Sequence, residues 1–223
     1  MLGLTCPPPH FCQRWRLQKA PFKAKTMSWT TVTPSAFPWE QAALDFVRQN
    51  LPASANIHMW SNFEFVADSG PIYEVDLLCV SPWGVFVTEI KSRPGAISGM
   101  GNLWSWHHEG RSKTAENPLL LANRKCKALA SLFGRQKAFK NEQVPFIEPL
   151  VFCSDPSNNI LLSDPQKVCN RTKIIAAITK RDCPGLKFFH QPPINTPALR
   201  AVLQAIEQSG IAGKGLAKAG CRG

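Results

Sequence analysis

Residues 73–91 run Tyr73-Glu74-Val75-Asp76-Leu77-Leu78-Cys79-Val80, then Ser81-Pro82-Trp83-Gly84, then Val85-Phe86-Val87-Thr88-Glu89-Ile90-Lys91. Two β-rich runs around a turn signal restrict this segment to an antiparallel hairpin, and proline second with glycine fourth suits a type I turn. An even loop pairs positions whose numbers sum to 165, so Asp76 faces Glu89. Directly opposed residues share a face with Cβ atoms about 4.5–5.5 Å apart, where two carboxylates repel unless a cation lies between them. Side chains alternate with period 2, so Lys91 shares the face of Glu89 while Ile90 points away. Leu78, Val80, Val85 and Val87 occupy that same face, which predicts that the acids are at least partly buried. A one-residue slip of register would separate the two carboxylates.

An aspartate, a glutamate and a lysine converging on one spot suit phosphodiester cleavage. A divalent ion, Mg²⁺ or Mn²⁺, held by Asp76 and Glu89 polarises a phosphate oxygen and lowers the pKa of a bound water, while Lys91 steadies that water or the developing negative charge. Two carboxyl groups sharing one ion would lie about 4–6 Å apart, given metal–oxygen distances of about 2.0–2.6 Å. The bland alternative is a half-exposed hairpin with a charged outer face, in which Glu74 and Lys91 make an ordinary cross-strand pair.

Asp76, twelve residues, then Glu89-Ile90-Lys91 resembles the D…ExK motif of the PD-(D/E)XK nucleases. The neighbouring Pro82-Trp83-Gly84-Val85-Phe86-Val87, Gly95-Ala96-Ile97-Ser98-Gly99, Trp104 and Asn117-Pro118-Leu119 narrow the resemblance to the nuclease-related domain over about residues 35–155. Within it, the chain is most similar to the N-terminal region of large kinases of bacterial phage-defence systems that carry this domain. The resemblance implies catalytic roles for Asp76, Glu89 and Lys91, Glu40 as an additional acid, metal held by Asp76 and Glu89, DNA as the substrate, a fused or associated kinase as partner, and a bacterial cytoplasmic location. The Asn117-Pro118-Leu119-Leu120-Leu121-Ala122 segment departs from the family, which commonly places a glutamine a few residues after this Asn-Pro.

A chain of 223 residues with 44% hydrophobic residues is long enough for one domain with a sizeable core. Its formal charge of +11 points toward nucleic acid, but eight of the 26 basic residues lie in 1–26 and 211–223, leaving 18 against 15 acids in the body. Within the body, residues 117–140 carry Arg124, Lys125, Lys127, Arg135, Lys137 and Lys140 with no compensating acid. Arg124, Lys125, Lys127 and Arg135 are accordingly the candidate nucleic-acid contacts, against the commoner alternative of a solvated basic face. The eight cysteines form no CxxC pair, and Cys79 and Cys153 fall inside apolar strands, which fits a reducing cytosol. Cys6, His10 and Cys12 lack a further partner at zinc-ligand spacing. No apolar run reaches membrane-spanning length, so no membrane partner is expected.

These patterns predict an α/β fold, and the resemblance implies a PD-(D/E)XK-like core with a mixed β-sheet whose hairpin carries D…ExK, flanked by helices. The expected division is a disordered basic leader at 1–26, a nuclease-like core at 27–155, a C-terminal extension at 156–210 and a flexible basic tail at 211–223. Expected elements are a helix over 36–50 capped by Thr33-Pro34-Ser35, strands over 57–65, 72–80, 85–92, 103–107, 146–154 and 174–178, and helices after Asn117-Pro118 and over 197–208. Residues 95–99 are expected to turn the chain, and 110–117 to form a polar loop. The tryptophans 104 and 106 are expected to pack rather than stack on bases. No P-loop, GxSxG elbow or kinase signature is present. Two functions compete: a metal-dependent nuclease, and a non-cleaving nucleic-acid-binding or regulatory module that tethers a partner enzyme such as a kinase.

Overall fold

The computed structural model describes residues 27–52, 56–179 and 194–211. Cys6, His10 and Cys12, the leader at 1–26 and the tail from 212 lie outside the described residues. The fold is mixed α/β, with two mixed sheets flanked by helices. The first sheet is built from β1 (Ser28–Thr31), β2 (His58–Val66), β3 (Ile72–Ser81), β4 (Gly84–Lys91), β8 (Ile147–Cys153) and β10 (Val168–Cys169), in that spatial order. β2, β3 and β4 form an antiparallel meander, whereas β8 joins β4 in parallel.

The β3–β4 ladder runs Leu77↔Thr88, Leu78↔Val87, Cys79↔Phe86, Val80↔Val85 and Ser81↔Gly84, the register expected from the turn. Leu78, Val80, Val85 and Val87 face helices α2 (Pro118–Gly134) and α4 (Thr196–Gln208), packing with Leu129, Phe133 and Val202. Leu77, Cys79, Phe86 and Ile90 face α1 (Pro38–Asn50) and α3 (Arg171–Thr179) through Leu44, Val47, Ile174 and Ile178. Both faces of the central strands are therefore covered, which explains why β3 and β4 read as nearly continuous apolar runs.

The second sheet holds β5 (Ala96–Met100), β6 (Leu103–His108), β7 (Arg111–Glu116) and β9 (Asn159–Leu162), in the order β7-β6-β5-β9. Trp104 and Trp106 are buried there against Ile97, Val151 and Leu162, the packing role expected of them. Asn117 ties this sheet to α2: its side chain accepts from Leu119 N at 2.9 Å and donates to Gly101 O at 2.8 Å.

Four expectations are corrected. Residues 95–99 mostly form a strand rather than a turn; Gly99, at φ +133°, lets β6 approach so closely that a Cβ would lie 2.5 Å from Leu103 O. Residues 111–116 form the edge strand β7, reached through Glu109 and Gly110, whose φ values of 49° and 73° suit a two-residue hairpin turn. Residues 174–178 are helical because the Asn170 side chain accepts from Lys173 N at 3.1 Å, while Ile174, Ala177 and Ile178 recur at helical spacing on the core. Finally, α1 starts at Pro38 after Phe37, with no side-chain cap; Ser35 Oγ instead accepts from Phe37 N at 3.1 Å just ahead of the helix.

Candidate active site

The site lies where the central strands lose their alternation. In β2, Met59 faces the α1/α3 side and Phe63 the α2/α4 side, although their numbers share parity. In β3, Leu77 and Val75 are divided in the same way. The break falls at Asn62 and Asp76, which stand opposite each other between the pairs Ser61↔Leu77 and Phe63↔Val75. Asn62 has φ 55°, a left-handed conformation that asparagine tolerates better than most residues, and it reverses the facing of the rest of β2. The β3–β4 ladder ends at Leu77↔Thr88, and Asp76 and Glu89 are the residues next beyond that pair on the two strands. Asn62, Asp76 and Glu89 thus form one row across three strands.

Asp76 is 8% exposed, and its Oδ2 accepts a hydrogen bond from Ile90 N at 2.7 Å. Burial, reinforced by the charge of Glu89, raises its carboxyl from the ordinary 3.8 to about 7, against the opposing effects of Lys125, the Ile90 amide and Lys91. Glu89 is 5% exposed. Burial works to raise its carboxyl too, yet the charges and hydrogen bonds of Lys125 and Lys91 outweigh it and hold the group below its ordinary value. Lys91 Nζ reaches Glu89 Oε1 at 2.7 Å, and Lys125 Nζ pairs with Glu89 Oε2. Asp76 feels the charges of Glu89, Lys91 and Lys125, so these four side chains make one electrostatic unit.

Glu40, in the first turn of α1, reaches this row through Asn62. The Asn62 amide, oriented to match its neighbours, donates to Glu40 Oε1 at 2.8 Å and accepts from Ser35 N at 3.1 Å. Ser92 Oγ, donating to Trp39 O at 3.4 Å, joins the start of α1 to the chain leaving β4. A cleft of about 670 Å³ opens here, with Glu40, Lys91, Arg93 and Leu121 in its lining and Phe37 and Trp39 at its edge.

The basic residues of α2 have separate fates. Lys125 is 5% exposed, not on the solvated face expected for a phosphate contact, because it falls in the helical stripe of Ala122, Cys126 and Leu129. Arg124 pairs with Glu116 at 2.8 Å, and Arg135 pairs with Asp68, so acids distant in sequence or on the adjoining strand compensate them. Lys127 is exposed. Asn62 carries no readable signal inside an apolar strand, whereas Lys125 has one in its spacing from Ala122 and Leu129.

No group of three or more His, Cys, Asp or Glu side chains able to hold a metal occurs among the described residues. Asp76 and Glu89 nevertheless suit a Mg²⁺-like ion, which takes one or two carboxylates and keeps waters or phosphate oxygens for the rest. After burial, the Glu89 charge is the second cause of the raised Asp76 carboxyl, and it is that part which such an ion would relieve.

Comparison with known proteins places residues 35–154 in the family described as the nuclease-related domain. The chain is also 40% identical over 124 residues to a probable kinase, PglW, of Streptomyces coelicolor, a match that spans 54% of this chain and 8% of that protein. No solved structure matches.

Proposed function

The chain belongs to the nuclease-related domain family, and on that premise we propose that it is a metal-dependent nuclease domain acting on DNA. The observation that carries this reading is the convergence of Asp76, Glu89 and Lys91 at the broken end of the β3–β4 ladder. Asp76 and Glu89 are the residues that would hold Mg²⁺ or Mn²⁺, which when bound supplies a polarised phosphate oxygen and a more acidic water. The protein's own part is positional and electrostatic. The Ile90 amide orients the Asp76 carboxylate, Asn62 holds Glu40 as a further acid at the row's end, and Lys91 presents an ammonium to the water or to the charge developing on phosphorus oxygens. Lys125 supports the site from beneath by balancing Glu89 within the core.

A second reading, a non-cleaving nucleic-acid-binding or regulatory module, is favoured by one feature: both Glu89 oxygens are already paired with lysines. The relative's description as a kinase supports a role beside or fused to such an enzyme, and a place in bacterial phage defence is part of the proposal. No helix among the described residues is long and apolar enough to cross a membrane, and Cys79, Cys126 and Cys153 are buried free thiols. The thiols support a reducing, cytoplasmic setting. Incubation of plasmid and single-stranded DNA with the full chain in Mg²⁺, beside Glu89→Ala and a chelator control, decides between the readings. Cleavage that vanishes with the metal or with Glu89 is expected; no cleavage of any DNA by the wild type leaves the module.

A further inference from the structure

The cleft over Lys91 shares Arg93, Pro94 and Trp106 with a second depression of about 470 Å³ on the β6–β7 hairpin. That second depression is lined by Arg111 and Lys113 as well as Arg93, all three exposed and none in an ion pair among the described residues. Among the described residues Glu109 is its one acid, and it lies 3.6 Å from His108 Nε2. The first cleft is also lined by Phe37 and Trp39, stacked with ring centroids 5.1 Å apart and an interplanar angle of 18°. They are 49% and 58% exposed, an unusual position for two large rings on a helix start. Arg93 sits between the two regions, its guanidinium carbon 6.0 Å from the Trp106 ring centroid.

We propose that these features form the path of a single strand of DNA. The backbone lies along Lys113, Arg111 and Arg93 toward Lys91, and an unpaired base stacks on the Phe37–Trp39 face. The proposal rests on the nuclease reading for its polarity, since the path ends at Lys91, whose Nζ contacts Glu89 Oε1 at 2.7 Å. Its elements divide the work that single-strand recognition needs: cations spaced along a groove for phosphates, and an aromatic surface for bases. A single strand is specified because a base inside a duplex has both its faces covered by its neighbours, whereas the Phe37–Trp39 pair offers a flat surface to an open one. The assignment also moves the phosphate contacts from α2 to the hairpin. On α2, Arg124 and Arg135 are paired with acids, Lys125 is buried, and Lys127, though exposed, lines neither depression; on the hairpin, Arg111 and Lys113 line the depression and are in no ion pair among the described residues.

The test is fluorescence anisotropy of a labelled 20-nucleotide DNA strand and of its duplex, on the full chain in chelator, so that cleavage does not interfere, and at several salt concentrations. Arg111→Gln with Lys113→Gln should flatten the log–log salt dependence by about 1.4, the slope expected for two phosphate contacts on a single strand. Trp39→Ala should weaken single-strand binding by about tenfold with the slope unchanged, as loss of one stacked base does. Lys127→Gln, on the outer face of α2, should leave both quantities as in the wild type. All substituted side chains are exposed, and an unchanged melting temperature confirms that the fold is intact. The proposal is overturned if the hairpin variants bind as the wild type does, if Lys127→Gln flattens the slope instead, or if duplex binds as tightly as single strand. Metal-dependent cleavage that survives in the hairpin and Trp39 variants with unchanged KM removes the path and leaves the nuclease reading intact. Single-strand binding that depends on the hairpin cations and Trp39, without cleavage in Mg²⁺, does the reverse.

Discussion

Replacing Lys125 by methionine tests whether the helix α2 lysine belongs to the core of the site. Methionine keeps the length and most of the apolar contact with the Ala122–Leu129 stripe while deleting the ammonium. Lys125 and Glu89 are each 5% exposed, so the change leaves a carboxylate in a place that water does not reach. Breaking a buried ion pair from one side costs about 3–5 kcal/mol. Lys91 still contacts Glu89 Oε1 at 2.7 Å and is itself about one-third exposed, so it retains part of the compensation. We therefore expect a loss at or just below the bottom of that range, about 2–3 kcal/mol, which for a domain of this size lowers the melting temperature by roughly 4–12 °C. Glu89→Gln leaves the opposite charge buried but with Asp76 nearby to answer it. The double variant removes both charges, so its loss should fall short of the summed single losses by about 1–3 kcal/mol. Urea unfolding in chelator measures all four proteins, with equal m-values showing that the unfolded reference is unchanged. A Lys125→Met protein within about 0.5 kcal/mol of wild type, or strictly additive losses, would refute the buried pairing.

The same row of residues sets two further outcomes. Between its ordinary 3.8 and about 7, the folded Asp76 carboxyl holds a proton that the unfolded chain has released, so its contribution to metal-free stability falls as pH rises through that window. Glu89 has the opposite sign: its lowered carboxyl contributes stability above its ordinary value that is lost as pH falls through the folded one. Urea midpoints from pH 4 to 8 should show the falling slope in wild type and lose it in Asp76→Asn; an unchanged slope would place the buried proton elsewhere. At Asn62, Asn62→Ala should be about 1 kcal/mol less stable than Asn62→Gly, because alanine resists the left-handed backbone that glycine accepts. Equal thermal stability of the two would remove the backbone conformation as the reason for asparagine.

The hairpin register is legible because turn length and period-2 alternation together leave one pairing that buries Leu78, Val80, Val85 and Val87. Other parts are obscured by identifiable physics. β7 is an exposed edge strand of Arg111-Ser112-Lys113-Thr114-Ala115-Glu116, with no apolar alternation, and only Glu109-Gly110 marks the turn before it. The run Ile174-Ile175-Ala176-Ala177-Ile178 has the β-branched content of a strand, but the Asn170 cap and the burial of positions three and four apart make it helical. Of the site, Asp76, Glu89 and Lys91 are readable from spacing. Lys125 is readable as a basic residue, but its charge points to the solvated side of the helix where its spacing points to the core. Asn62 depends on a backbone conformation that no residue pattern in β2 announces.

Whether Asp76 and Glu89 share one divalent ion is measured most directly, and without reference to activity, by calorimetric titration of the full chain with Mn²⁺ at neutral pH. One ion per chain is expected, lost in both Asp76→Asn and Glu89→Gln and retained in Lys91→Ala. Binding of Mn²⁺ that persists in both carboxylate variants, or no binding by the wild type in the presence of DNA, would contradict the shared site.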